Sequence, residues 1–179
     1  MVRPTLLFVY VEGPDDELFF SRIVAPKLSR EYDKVVVRGY ANQRPKQVVR
    51  TLKSLRASGY TVRFVADLED APCVTTRRRK LTRKYSGVKG PEIFIVTSRI
   101  ESWYLAGLSK TDFKSLRIVP PSNFDRISKT EFEALYSGRY GARVDFLVEV
   151  LKQFSPSRAR KNSASFDYFI TKNGWSGLF

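Results

Sequence analysis

The chain contains no histidine and only one cysteine, Cys73. Without imidazole, Ser-His-Asp and Cys-His nucleophilic catalysis and histidine-ligated zinc are all excluded. A lone thiol forms no intramolecular disulfide, and here it also lacks its usual activating partner, so Cys73 reads as a small filler. No apolar stretch approaches the roughly 20 residues that a membrane helix needs, and the N-terminus has neither the long apolar segment nor the cleavage site of a signal peptide. The expectation is a soluble, cytoplasmic protein. The chemistry left to it belongs to carboxylates, lysines and metal ions.

Acid is in the minority too. The 179 residues carry 18 Asp and Glu against 32 Lys and Arg, a net charge of +14. That excess favours a polyanionic partner such as nucleic acid, DNA or RNA, over an acidic small molecule, with an anionic membrane surface as the weaker alternative. The length fits one domain with a sizeable core.

Hydrophobic patterning alternates along the first part of the chain. The apolar run Leu6 to Val11, the short run Val35 to Val37, and the stretches Thr61 to Asp67 and Glu92 to Val96 read as strands. Helical patterns cover Asp15 to Leu28 and Lys46 to Ser58, a basic stretch follows the third strand, and a further helix opens near Glu101. In the second helix Val48, Leu52 and Leu55 recur at i, i+4 and i+7, which makes one apolar face to cover a sheet. Strand and helix in alternation predict an α/β fold with a mostly parallel central sheet and helices on both faces. From about residue 108 helical patterns dominate, over Lys129 to Tyr136, Arg143 to Gln153 and Ser163 to Lys172. The expected organisation is an α/β domain over 1–107 with a C-terminal helical extension over 108–179 packed on it.

Open α/β sheets bind ligands beyond the carboxyl ends of their strands. Three acidic clusters fall there: Glu12 and Asp16 in VEGPDDE, Asp67 and Glu69 in VADLED, and Glu101 in SRIESWYLAG. Carboxylates without histidine suit a hard cation, Mg²⁺ or Mn²⁺. Each cluster has a plainer reading. Asp15, Asp16 and Glu17 also suit the first turn of a helix, DLED also suits a solvated turn, and Glu101 also suits the start of an amphipathic helix. Three clusters behind three strands call for one common explanation, and an unpaired carboxylate at Asp67, which continues a buried-looking strand, would be costly.

EGPDD after an apolar strand, followed by a D-x-E pair after a later strand, resembles the TOPRIM domain. With Asp16, Ser98 and Glu101 the pattern is most similar to the nuclease branch of the overcoming-lysogenization-defect family. The resemblance covers roughly residues 6 to 107. It implies two divalent ions, Mg²⁺ or Mn²⁺, held by Glu12, Asp16, Asp67, Glu69, Ser98 and Glu101, and hydrolysis of phosphodiester bonds. Two such ions activate water, clamp the phosphate and stabilise the leaving oxygen. The pair departs from the D-x-D pattern, leaving Glu69 or Asp70 as its second member. The DPDxxGxxI element of 5S ribosomal RNA maturases is absent, and no G-x-x-x-x-G-K-[ST] motif occurs, so a nuclease here acts alone or with an ATPase from a separate chain. The different class of reading is a catalytically silent TOPRIM-like module that recruits nucleic acid or a repair partner.

Because the nuclease branch carries a lysine after its acidic motifs, Lys161 is the candidate to join Glu12 and Asp67 in catalysis; its plainer reading is a solvated charge. Between Val74 and Lys89 the chain has seven basic residues and no acid. Arg77, Arg78, Arg79, Lys80, Arg83 and Lys84 are placed to grip a phosphate backbone beside the acidic edge, with Arg158 and Arg160 extending the track. The plainer reading is a solvated basic face. Tyr85, Trp103 and Phe166 fall at helical spacing and read as core more than as base-stacking platforms.

Overall fold

The computed structural model describes residues 5–97 and 99–179. Two compact units divide after Val96, so the helix carrying Glu101 belongs to the second of them.

In the first unit, strands β1 (Leu6–Val11), β2 (Lys34–Gly39), β3 (Thr61–Asp67) and β4 (Ile93–Val96) form one sheet in the order β2-β1-β3-β4. All three pairings are parallel, with Val9 opposite Val37 and Arg63, and Asp67 opposite Val96. Parallel strands need crossovers, and helices provide them. Between β1 and β2 the chain winds through α1 (Pro14–Phe19), a π-helical turn (Phe20–Val24) and α2 (Ala25–Leu28). Pro26 accounts for the widened turn: it has no N–H to give to the preceding turn, and its ring needs room there.

Helices α3 (Pro45–Ala57) and α4 (Val74–Lys84) make the next two crossovers, with a 3₁₀ turn at Gly90–Glu92 leading into β4. Val48, Leu52, Leu81 and Tyr85 of this pair pack with Tyr10, Phe64, Ala66 and Ile95 of the sheet in one buried cluster. Alternation along β1 turns Leu7, Val9 and Val11 to the opposite face, where Phe19, Phe20, Val24 and Leu28 are buried. The expected architecture is thus present: a parallel sheet flanked by helices, of TOPRIM or Rossmann-like form.

The second unit is helical: α5 (Ile100–Ala106), α6 (Lys110–Ser115), α7 (Lys129–Tyr136), α8 (Arg143–Lys152), α9 (Pro156–Asn162) and α10 (Ala164–Lys172). Serines open four of these helices, with Ser109, Ser128, Ser155 and Ser163 accepting backbone N–H groups of the first turn. Their hydroxyls satisfy donors that a helix start leaves unpaired. Trp103 and Phe166 are buried and packed edge to face, and the Trp103 indole donates to Ser165 Oγ at 2.7 Å. With Tyr85 also buried, none of the three aromatics is a stacking platform. Among the described residues no helix is long and apolar enough to cross a membrane.

Cys73 corrects its expected place in the interior. It is exposed, at the residue that precedes α4, with Sγ 3.3 Å from Thr76 Oγ1. A small side chain serves a helix start as well as a core gap.

Candidate functional site

β1 and β3 are neighbours and parallel, so the residues that follow them emerge side by side at the carboxyl edge of the sheet. The Glu12 carboxylate spans this short gap: Oε2 accepts the backbone N–H of Asp67 at 3.1 Å. Beyond Asp67 the chain reverses in a turn closed by Ala71 N–H donating to Leu68 O at 3.2 Å, and Glu69 within it has φ +50°. A left-handed glutamate is uncommon and costs free energy, so the surroundings must hold it there.

What holds Glu69 is Arg77. From the first turn of α4, its guanidinium donates to Glu69 Oε2 at 2.6 Å, to Glu12 Oε1 at 2.8 Å and to the Asp67 carbonyl at 2.7 Å. Arg77 is 9% exposed. Expected among the backbone-gripping residues, it instead ties β1, β3 and the β3–α4 turn together. Planar geometry with several fixed donors is what allows one side chain to serve two carboxylates and a carbonyl. Asp70, the alternative second acid of the pair, is exposed.

Asp16 is 5% exposed, and its Oδ2 accepts the Gly13 N–H at 3.2 Å, so it caps the start of α1. Its neighbour Glu17, read from the sequence only as a first-turn acid, accepts the Gly39 N–H at the end of β2. Tyr40 was also not anticipated. Its ring stacks on Phe64 at 4.2 Å, and Glu12, Arg77 and Asp16 all act electrostatically on its phenol. Burial first, then the Glu12 carboxylate, hold the phenol well above its ordinary range, so it stays protonated. A tyrosine directly behind β2, at the same sheet edge as the acids, was the available signal.

Burial is also the largest influence on Glu12. It pushes the carboxyl above its ordinary 4.5, against the Asp67 N–H and Arg77, which pull it down; Glu69 pushes it up and Tyr40 pulls it down. A raised folded value means that the native state holds the proton when the unfolded chain has released it. The contribution of Glu12 to stability is therefore complete below 4.5 and lost as pH rises through its folded value. Glu12→Gln cannot titrate. In urea unfolding, wild type should lose stability relative to this variant as pH rises from acid to neutral. A gap that stays constant with pH would contradict the raised carboxyl.

Lined up at this edge, Glu12, Asp67 and Glu69 offer only oxygen, which in kind and charge fits a hard divalent cation. Among the described residues, however, no group of three or more His, Cys, Asp or Glu side chains is arranged to hold a metal ion. The Arg77 guanidinium stands between the Glu12 and Glu69 carboxylates instead.

Ser98 lies outside the described residues. Glu101 is buried in the second unit and paired with Arg143 at 2.7 Å. Lys161 is an exposed residue of α9. Arg158 donates to the Gly107 carbonyl at 2.8 Å and lies 3.4 Å from Asp112, and Arg160 donates to Asp167 at 2.7 Å, so both brace their own unit. In α4, Arg78 is half-buried and reaches the Ile93 carbonyl at 3.4 Å, whereas Arg79, Lys80, Arg83 and Lys84 are exposed.

No protein-family profile matches the chain, and no curated protein matches its sequence. Among solved structures it is similar to the C-terminal region of the Burkholderia pseudomallei OLD protein, with a TM-score of 0.42 and 15% identity over 90% of this chain and 87% of that one. A likeness at that level assigns no residue and no activity to this chain.

Proposed function

We propose that the protein is a Mg²⁺- or Mn²⁺-dependent nuclease that hydrolyses phosphodiester bonds of DNA or RNA. The observation that supports it is the meeting of Glu12, Asp67 and Glu69, from two strand ends and a strained turn, around the Arg77 guanidinium. A bound divalent ion would supply Lewis acidity and a lowered pKa for water. Glu12, Asp67 and Glu69 would hold it, with Asp16 as a further donor beside them. Arg77 balances the carboxylates, keeps Glu12 and Glu69 oriented, and must yield the space between them when an ion enters. Tyr40, protonated and beside Glu12, is a neutral polar group at the same edge.

The test is cleavage of plasmid DNA and of RNA by purified protein with Mn²⁺ or Mg²⁺, with EDTA stopping the reaction. The parts of Glu101 and Lys161 are read from their alanine variants in the same assay. A second reading is favoured by one observation: Arg77 already neutralises the Glu12 and Glu69 pair, as a silent nucleic-acid-recruiting module would require. Wild-type protein that binds nucleic acid but cuts neither DNA nor RNA with either metal would replace the nuclease by that module.

A further inference from the structure

Helices α3 and α4 carry no acidic residue. Three of their arginines are engaged: Arg56 with Glu92 and the Gly87 carbonyl, Arg77 with Glu12 and Glu69, and Arg78 with the Ile93 carbonyl. The rest face solvent. Lys46, Arg50 and Lys53 are exposed at i, i+4 and i+7, the side of α3 away from the buried Val48 and Leu52. The stripe is about 10 Å long at ~1.5 Å per residue. None of the three has an ion pair among the described residues. Like charges one turn apart repel, a cost to the isolated fold that an anionic partner would remove.

The stripe borders a cleft of about 400 Å³ lined by Lys46, Val49, Arg50, Lys53, Lys84 and Ser86. Its walls are fixed. The loop behind α4 runs so close to α3 that a Cβ on Gly87 would meet Val49 Cγ1 at 3.1 Å, and Arg56 clamps the same loop through the Gly87 carbonyl. The Lys84 ammonium lies over the Tyr85 ring at 5.3 Å, at the far side of the cleft. Cations on both sides, a hydroxyl, an apolar floor at Val49 and no acid make a surface complementary to a phosphodiester backbone.

We propose that this α3–α4 cleft binds the phosphate backbone of a nucleic-acid strand through Lys46, Arg50, Lys53 and Lys84. This site is distinct from the carboxylate edge, and it does not depend on that edge being catalytic. The three cations of the stripe can each meet one phosphate of the strand.

The experiment measures binding of a fluorescein-labelled single-stranded oligonucleotide by anisotropy, in EDTA, across a salt series. EDTA silences any metal-dependent cleavage, so a failed nuclease reading leaves this measurement intact. The triple variant Lys46→Ala/Arg50→Ala/Lys53→Ala should bind more weakly, and its log–log salt slope should flatten by roughly 0.7 per lost contact on a single strand, about 2 in all. A control that removes the same charge elsewhere, Lys27→Ala/Lys110→Ala/Lys172→Ala, all exposed, should keep nearly the wild-type slope. Equal loss in both variants would reduce the effect to net charge and overturn the site. So would a cleft variant with unchanged slope, or one that loses binding to phosphatidylserine vesicles but keeps the oligonucleotide. Unchanged circular dichroism and melting temperature confirm that the variant is folded.

Discussion

Asp67→Ala should reduce metal-dependent cleavage on the order of 10³-fold, the scale on which a preorganised charge at a reacting phosphate contributes, while binding of nucleic acid is unchanged or tighter. The structural grounds are specific. Asp67 reaches Glu12 through its backbone N–H and Arg77 through its carbonyl, and alanine keeps both. Removing only the carboxylate takes away an oxygen donor and also a negative charge that repels phosphate. Initial cleavage rates with Mn²⁺, set beside anisotropy in EDTA, separate the two effects. A variant that cuts at nearly the wild-type rate would remove Asp67 from the reaction and, with it, the central ligand of the proposed site.

Arg77→Met should be the most destabilising single change at the sheet edge. Taking one partner out of a buried ion pair leaves the other charge uncompensated, at a cost of about 3–5 kcal/mol. Glu69 is half exposed, with 49% of its side chain accessible, which puts the expected loss near the lower bound. A loss of about 3 kcal/mol corresponds to a melting temperature lower by roughly 6–12 °C for a chain of this size. Metal then decides between the two readings. If Glu12 and Glu69 form an ion site, Mn²⁺ should recover much of the lost melting temperature in Arg77→Met, and should shift wild type far less, because ligand binding to the native state alone stabilises it. A variant equally unstable in Mn²⁺ and in EDTA would identify Arg77 as the permanent occupant and favour the recruiting module.

Arg77 also shows where reading a sequence stops. In RRRK its charge was plain, but its direction was not. It stands four residues before Leu81 and eight before Tyr85, and all three are buried on one helix face. That spacing distinguishes it from Arg79 and Lys80, yet an arginine at a core-facing position is intelligible only once the carboxylates that receive it are in place. β1 and β3 were legible to the residue because β1 is an uninterrupted apolar run followed by Glu12, and β3 is a β-branched and aromatic run, interrupted by Arg63, that ends at Asp67. α6 and α9 were not, since they have six and seven residues and a single buried side chain each, Phe113 and Ala159. Too short to show a period, they are set by the serine caps at Ser109 and Ser155 and by the packing around them. Glu12, Asp67 and Glu69 were expected together at one strand-end edge, where Glu12 and Glu69 both meet Arg77. Their partner was missed because a guanidinium and a metal ion satisfy the same requirement.

The central place of β1 has a consequence for the order in which the protein is made. The strand is made before either of its neighbours: Lys34–Gly39 follows it, and Thr61–Asp67 comes later still. Pairings so far apart in sequence are slow to form. Arg77 is synthesised ten residues after Asp67, about 0.5–2 s later at ~5–20 residues per second. Arg77 therefore joins Glu12, Glu69 and the Asp67 carbonyl only after both strands that lead to them have been made, and before β4 exists to complete the sheet.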